Sequence, residues 1–219
     1  MQLQSNIVVI ATRNEGKVKE FAKLFGDKGY KVRSLADYTD LPEIVESGAT
    51  FAENARIKAQ TISAHLHVPV LADDSGLCVK ALDGRPGVYS ARFAGEQATD
   101  AENNEQLLRA LKEAESRELH LVPAEGEHPE LLSPAAFVCA LSLIDPVANE
   151  VIEAEDEFQG YIIGEHRGES GFGYDPIFYI PELGRTMAEL SIEEKNELSH
   201  RAKALRSFLN QLPDVRKPI

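Results

Sequence analysis

The sequence runs to 219 residues, 43% hydrophobic and 27% charged, with a formal net charge of −13. That balance fits a single globular domain over residues 1–219 and excludes a duplex nucleic-acid binder, which needs a basic face. No apolar run approaches the roughly 20 residues that cross a bilayer, so no membrane partner is expected.

Along the chain, "MQLQSNIVVIAT" lacks the basic region of a signal peptide. "NIVVIAT" predicts a buried strand. "NEGKVKEFAKLFG" predicts a helix, with Val18, Phe21 and Phe25 at helical spacing and Gly26 as a stop signal. Residues 1–33 hold seven Lys/Arg against three Asp/Glu, so an anion should land near this end. The strand-to-helix link Thr12, Arg13, Asn14, Glu15, Gly16 and Lys17 reads either as an anion site at a helix N-terminus or as plain capping by Asn14.

Next, Thr50 and Glu53 form a capping box ahead of "FAENARIKAQTISAHL". Asn54 and Lys58 are spaced i, i+4 and share one face of that helix. Glu46, in the Gly-containing loop before it, is a candidate oxygen ligand or a surface carboxylate. "LADDSGLCV" then sets Asp73 and Asp74 between two apolar runs. Asp, Ser and Gly favour an exposed turn between two strands. Paired carboxylates also suit a divalent cation, since burying them uncompensated costs several kcal/mol.

Thr99 and Glu102 cap "DAENNEQLLRALKEA". Residues 115–135 read as an acidic surface loop with His120 and His128 solvated. "AAFVCALSLID" and "EVIEAEDEF" predict strands. Cys78 and Cys139 lie in apolar stretches and read as core thiols in a reducing, cytoplasmic setting. "GESGFGYDPIFYIP" puts Phe172 between Gly171 and Gly173, followed by Tyr174 and Asp175. This is either a platform on which a base stacks or a tight turn with Phe172 in the core. Ser191 and Glu194 start a final helix with Leu198, Ala202, Leu205, Leu209 and Leu212 inward. Lys195, Ser199, His200 and Arg201 lie within about one turn of each other, as a site or as a solvated face. The order of elements predicts an α/β protein with a mixed central sheet.

Five stretches occur in order: "ATRNEGKVKEF", "TFAENARIKA", "LADDSGLCVKALDGRPGVYSARFAG", "GFGYDPIF" and "EEKNELSHRAKAL". Each is weak alone. Together they resemble the inosine/xanthosine triphosphate pyrophosphatase family over nearly the whole chain, apart from a longer acidic loop at 115–135. The resemblance implies an elongated, two-lobed fold with a cleft, a homodimer, and Mg2+-dependent conversion of ITP, dITP or XTP to the monophosphate plus pyrophosphate. It implies that Thr12, Arg13, Asn14, Glu15, Gly16 and Lys17 hold the triphosphate with Lys58. It makes Asp74 the catalytic carboxylate beside Ser75, and Glu46 and Asp74 the metal ligands. It assigns the nucleoside to Phe172, Gly173, Tyr174, Asp175, Lys195, His200 and Arg201. A Maf-like pyrophosphatase and a catalytically silent nucleotide sensor are the rival readings.

Overall fold

Local sequence signals and buried apolar runs generate seven strands and five α-helices among residues 3, 5–13, 15–115, 129–198 and 200–212, which the computed structural model describes. β1 (Ile7–Ile10) buries Val8, Val9 and Ile10. α1 (Glu15–Asp27) turns Phe21 and Phe25 fully inward. It runs past Gly26, and the chain reverses instead at Gly29, whose φ of 86° suits glycine. β2 (Lys31–Ser34) follows.

α2 (Phe51–Leu66) opens on the predicted box: Thr50 Oγ1 accepts the Glu53 N–H at 3.1 Å, and the Thr50 N–H donates to Glu53 Oε2 at 3.3 Å. Such a cap is worth about 1 kcal/mol. α3 (Asp100–Glu115) opens the same way on Thr99 and Glu102. The remaining elements are β3 (Val70–Val79), β4 (Leu131–Asp145), β5 (Glu150–Ile163), β6 (Phe178–Ile180), β7 (Arg185–Thr186), α4 (Ile192–Leu198) and α5 (His200–Gln211).

The strands order as β2-β1-β3-β4-β5-β6-β7. β1 pairs in parallel with β2 and β3, whereas β5–β6 and β6–β7 are antiparallel. The sheet is therefore mixed, as predicted.

The chain forms two compact units. The first comprises Met1–Asp74, Cys139–Asp156 and Ala204–Ile219. Its core gathers Phe21, Phe25, Leu71, Leu141, Leu205 and Phe208, with Phe25 edge-on to Phe21 and Tyr30. The second comprises Ser75–Val138 and Glu157–Lys203. Its core gathers Leu77, Leu107, Leu111, Ile162, Ile177 and Phe178. Each such side chain contributes about 1.5–3 kcal/mol by leaving water.

Two expectations are corrected. "LADDSGLCV" is not a turn between two strands but lies within the single strand β3. β4 begins at Leu131, inside the stretch read as loop: Pro134 is exposed, and Ser133 Oγ takes the Ala81 N–H at 3.1 Å. His120 and His128 lie outside the described residues. The final helix is described as α4 and α5 on either side of Ser199, which lies outside the described residues. Leu198 packs against the second unit's core, Leu205, Leu209 and Leu212 pack in the first unit's, and Ala202 is buried, so the residues expected to face inward do so.

Candidate active site

Neighbouring residues of a strand point to opposite faces. In β3 this gives each aspartate its own lysine. Lys17, in the first turn of α1, approaches Asp73 Oδ2 at 2.7 Å. Lys58, from α2, approaches Asp74 Oδ1 at 2.9 Å and also donates to the Asp73 carbonyl at 3.2 Å. Glu46 Oε1 reaches the same Lys58 Nζ at 3.2 Å. Asn54 Nδ2 donates to Asp74 Oδ2 at 3.2 Å. The Asp73 side chain is 4% exposed and those of Asp74 and Lys58 13%. Two carboxylates that close survive burial in a strand because each meets a cation.

Burial pushes the Asp74 carboxyl up. Lys58 and Asn54 pull it back without cancelling the rise, and Glu46 adds to it. Burial also works against the Lys58 ammonium, yet Asp74 and Glu46 together outweigh it and hold that group above its usual value. Both partners end up raised, because burial dominates at the carboxyl and two anions dominate at the amine. An acid poised in this way, beside a fixed cation, suits proton transfer.

Glu46 and Asp74 both reach the Lys58 ammonium, which brings two hard oxygen donors near each other. Among the described residues, no three His, Cys, Asp or Glu side chains come together as a metal-binding group. A carboxylate pair is the donor set Mg2+ takes when substrate phosphates and waters complete its shell, so the residues fit that ion.

In the strand-to-helix link, the Thr12 carbonyl accepts the Leu35 N–H at 3.3 Å and Arg13 is exposed. Asn14 lies outside the described residues. The backbones of Glu15 and Gly16 start α1.

The second unit holds a cavity of about 160 Å³ lined by Ser75, Asp100, Phe137, Phe172, Tyr174 and His200 among others. Phe172 is 66% exposed, so it is not a core residue. Its loop is held at several points. Lys195 Nζ lies 2.9 Å from Asp175 Oδ2. The Gly173 N–H donates to Asp100 Oδ2 at 2.7 Å, Asn104 Nδ2 donates to the Gly173 carbonyl at 3.0 Å, and Tyr174 Oη donates to the Ser90 carbonyl at 2.9 Å. Gly171 has φ of 98°, and a Cβ there would collide with Asp175 and Lys195.

Burial pushes Asp175 up against the pull of Lys195, and burial also raises Tyr174. The His200 ring stacks on Phe137 at 5.2 Å and 19°. Arg201 follows it on α5, with its buried Nε lacking a hydrogen-bond partner among the described residues.

The predicted residues therefore fall into described groups: Glu46, Lys58 and Asp74; Lys17 with Asp73; and Ser75, Phe172, Gly173, Tyr174, Asp175 and His200 around one cavity, with Lys195 behind the loop. Asp100 and Asn104 are functional candidates that sequence reasoning missed. They lie i, i+4 just after the Thr99 cap, which puts them on one face of the first turns of α3; that spacing was the available signal.

A model of the Ham1 family matches residues 8–211. The chain is 52% identical over 209 residues to a dITP/XTP pyrophosphatase of Geobacillus kaustophilus, covering 95% of each. It is 49% identical over 208 residues to a dITP/XTP pyrophosphatase of Streptococcus thermophilus, covering 95% of this chain but 60% of that longer one. Its fold is similar to that of a HAM1 protein from Coxiella burnetii, with a TM-score of 0.81, 38% identity, and coverage of 94% and 97% of the two chains. With a family match and such identities along nearly its full length, this chain belongs to the Ham1 family.

Proposed function

We propose that this chain hydrolyses non-canonical purine nucleoside triphosphates (ITP, dITP and XTP) to the monophosphate and pyrophosphate, with Mg2+. The observation that carries this reading is the Glu46–Lys58–Asp74 cluster, in which exposed Glu46 and largely buried Asp74 share one ammonium. The names of the G. kaustophilus and S. thermophilus relatives point to the same substrates.

Glu46 and Asp74 would hold the cation, which when bound neutralises phosphate charge and acidifies a water. Asp74 takes the proton of the attacking water. Lys58 keeps that carboxylate oriented and presents positive charge toward the phosphates. Thr12 to Lys17, at the N-terminus of α1, supply backbone N–H groups and the helix dipole for the remaining phosphate oxygens. Lys17 can share its charge between Asp73 and a phosphate. Ser75 contacts the substrate next to the reacting group.

Base selection is assigned to the second unit's cavity. Exposed Phe172 offers a face for stacking. Hypoxanthine and xanthine carry an acceptor at position 6 where adenine carries a donor. A donor from His200 or Arg201 would be satisfied by the first and left unpaired by the second, and the unpartnered Arg201 Nε favours this reading. Discrimination built on such a bond reaches about 10⁴-fold.

We further take residues 1–219 as one catalytic domain working as a cytoplasmic homodimer. The resemblance supports the dimer. Half-buried Cys78 and buried Cys139, both in apolar stretches of strand, support a reducing compartment. No helix among the described residues is long and apolar enough to cross a membrane.

The deciding experiment is a panel of ITP, dITP, XTP, GTP, ATP and modified pyrimidine triphosphates, assayed for pyrophosphate with and without Mg2+. Release confined to the first three, and only with the metal, is the expected result. A preference for modified pyrimidines would favour the Maf-like reading. Binding of ITP without release would favour a sensor.

A further inference from the structure

Asn54 carries no charge, yet it sits among the charged side chains of the Asp74 cluster and is 0% exposed. A primary amide has a donor end and an acceptor end, and here both are engaged. Nδ2 donates to Asp74 Oδ2 at 3.2 Å, and Oδ1 accepts the Gly48 N–H at 2.8 Å. Gly48 lies two residues beyond Glu46, in the loop that enters α2. That loop is pressed onto the helix: a Cβ at Gly48 would stand 2.7 Å from Glu53 Cβ and 2.8 Å from Asn54 Oδ1.

The contacts close into a ring. Asp74 binds Lys58, Lys58 binds Glu46, the Glu46 loop binds Asn54 through Gly48, and Asn54 binds Asp74. Lys58 alone lets both carboxylates rotate about its three equivalent donors. The planar amide removes that freedom, because its donor must face Asp74 while its acceptor faces the Gly48 N–H.

We propose that Asn54 is a positioning residue that fixes the rotation of the Asp74 carboxylate and, through Gly48, its spacing from Glu46. The proposal rests on the reading of Asp74 as the catalytic carboxylate. Partners that orient metal-binding and catalytic groups cost about 10–100-fold in metal affinity or activity when removed, and a misplacement of about 1 Å can cost 10²-fold in rate.

Three variants test it. Asn54→Asp keeps the shape and an acceptor for Gly48 but sets carboxylate against carboxylate at Asp74. Asn54→Ala removes both hydrogen bonds. Gly48→Ala leaves Asn54 in place and pushes on its Oδ1 from a half-exposed loop, away from the core, so it remains informative if the buried substitutions unfold the protein. The readouts are kcat and KM for ITP at saturating Mg2+, the thermal midpoint, and calorimetric binding of Mn2+ to nucleotide-free protein. Expected are kcat losses of about 100-fold in both Asn54 variants and about tenfold in Gly48→Ala, with KM within about threefold and Mn2+ bound more weakly.

A merely structural role would lower the midpoint and leave kcat per folded molecule and Mn2+ binding unchanged. That result in any folded variant of the three overturns the proposal. Asp74→Asn in the same assay separates the two levels. If Asp74→Asn stays active, the reading of the site fails. If Asp74→Asn is silent while the Asn54 and Gly48 variants turn over normally, only the positioning role fails.

Discussion

The proposed mechanism concentrates the chemistry in one side chain, Asp74. It lies inside a strand, with an ammonium on one carboxylate oxygen and an amide on the other. Asp74→Asn keeps that shape and removes the charge, so pyrophosphate release should fall by at least about 100-fold, the usual worth of a general base, while the thermal midpoint changes little. More than about a tenth of wild-type activity would remove Asp74 from the role. The sequence alone could not place this residue in a strand. Aspartate is depleted from strands and favoured in turns, so the local signals left a turn and a cation site equally open. The compensation for the pair comes from Lys17, 56 positions before Asp73, and Lys58, 16 positions before Asp74. Asn54 was visible only as a neighbour of Lys58 on a helix face; that it reaches both Asp74 and Gly48 depends on tertiary packing.

Elements whose signals are local were legible. The boxes Thr50–Glu53, Thr99–Glu102 and Ser191–Glu194 all form, because cap and partner are three residues apart. The Phe172 loop was half legible. Its glycines marked a backbone needing special φ, but the clamps from Asp100 and Asn104 come from a distant helix. Gly171→Ala forces a side chain into φ 98° and against the Asp175–Lys195 pair. It should raise KM for ITP about tenfold with a smaller effect on kcat, given the 1–3 kcal/mol scale of such strain; equal KM values would detach this loop from nucleoside binding.

A second element-level prediction concerns α2 and β5. Arg56 Nε and Nη2 donate to both oxygens of Glu153 at 2.8 and 2.6 Å, and this holds the Glu153 carboxyl below its usual value. A carboxyl lowered on folding stabilises the protein above its unfolded pKa of about 4.3 and loses that contribution as pH falls through the lower folded value. Both partners are partly exposed, so the gain is under about 1 kcal/mol. Arg56→Ala should therefore melt on the order of 1–4 °C lower than wild type at pH 7. The gap should close as pH falls through the lowered folded value and Glu153 is protonated. A gap that persists unchanged in acid would mean Arg56 acts through packing.

For the whole molecule, the mixed α/β class followed from the order of strand and helix signals, whereas the division into two units did not. Each unit is assembled from separated segments, three in one and two in the other. β3, β4 and β5 each contribute residues to both, so no linker or shift of composition marks a boundary. A chain of net charge −13 takes a polyanion only where local cations outweigh the rest, and the excess of Lys/Arg in residues 1–33 lies at the end that carries Lys17.

The central claim is that the Asp74 cluster directs water to the α-phosphorus, so that pyrophosphate leaves intact. Positioning of this kind carries most of the catalysis in phosphoryl transfer. The direct measurement is hydrolysis of ITP in ¹⁸O-labelled water, with the products analysed by mass spectrometry. The account predicts label in inosine monophosphate and none in pyrophosphate. Label in pyrophosphate, or orthophosphate and inosine diphosphate as the first products, would contradict it.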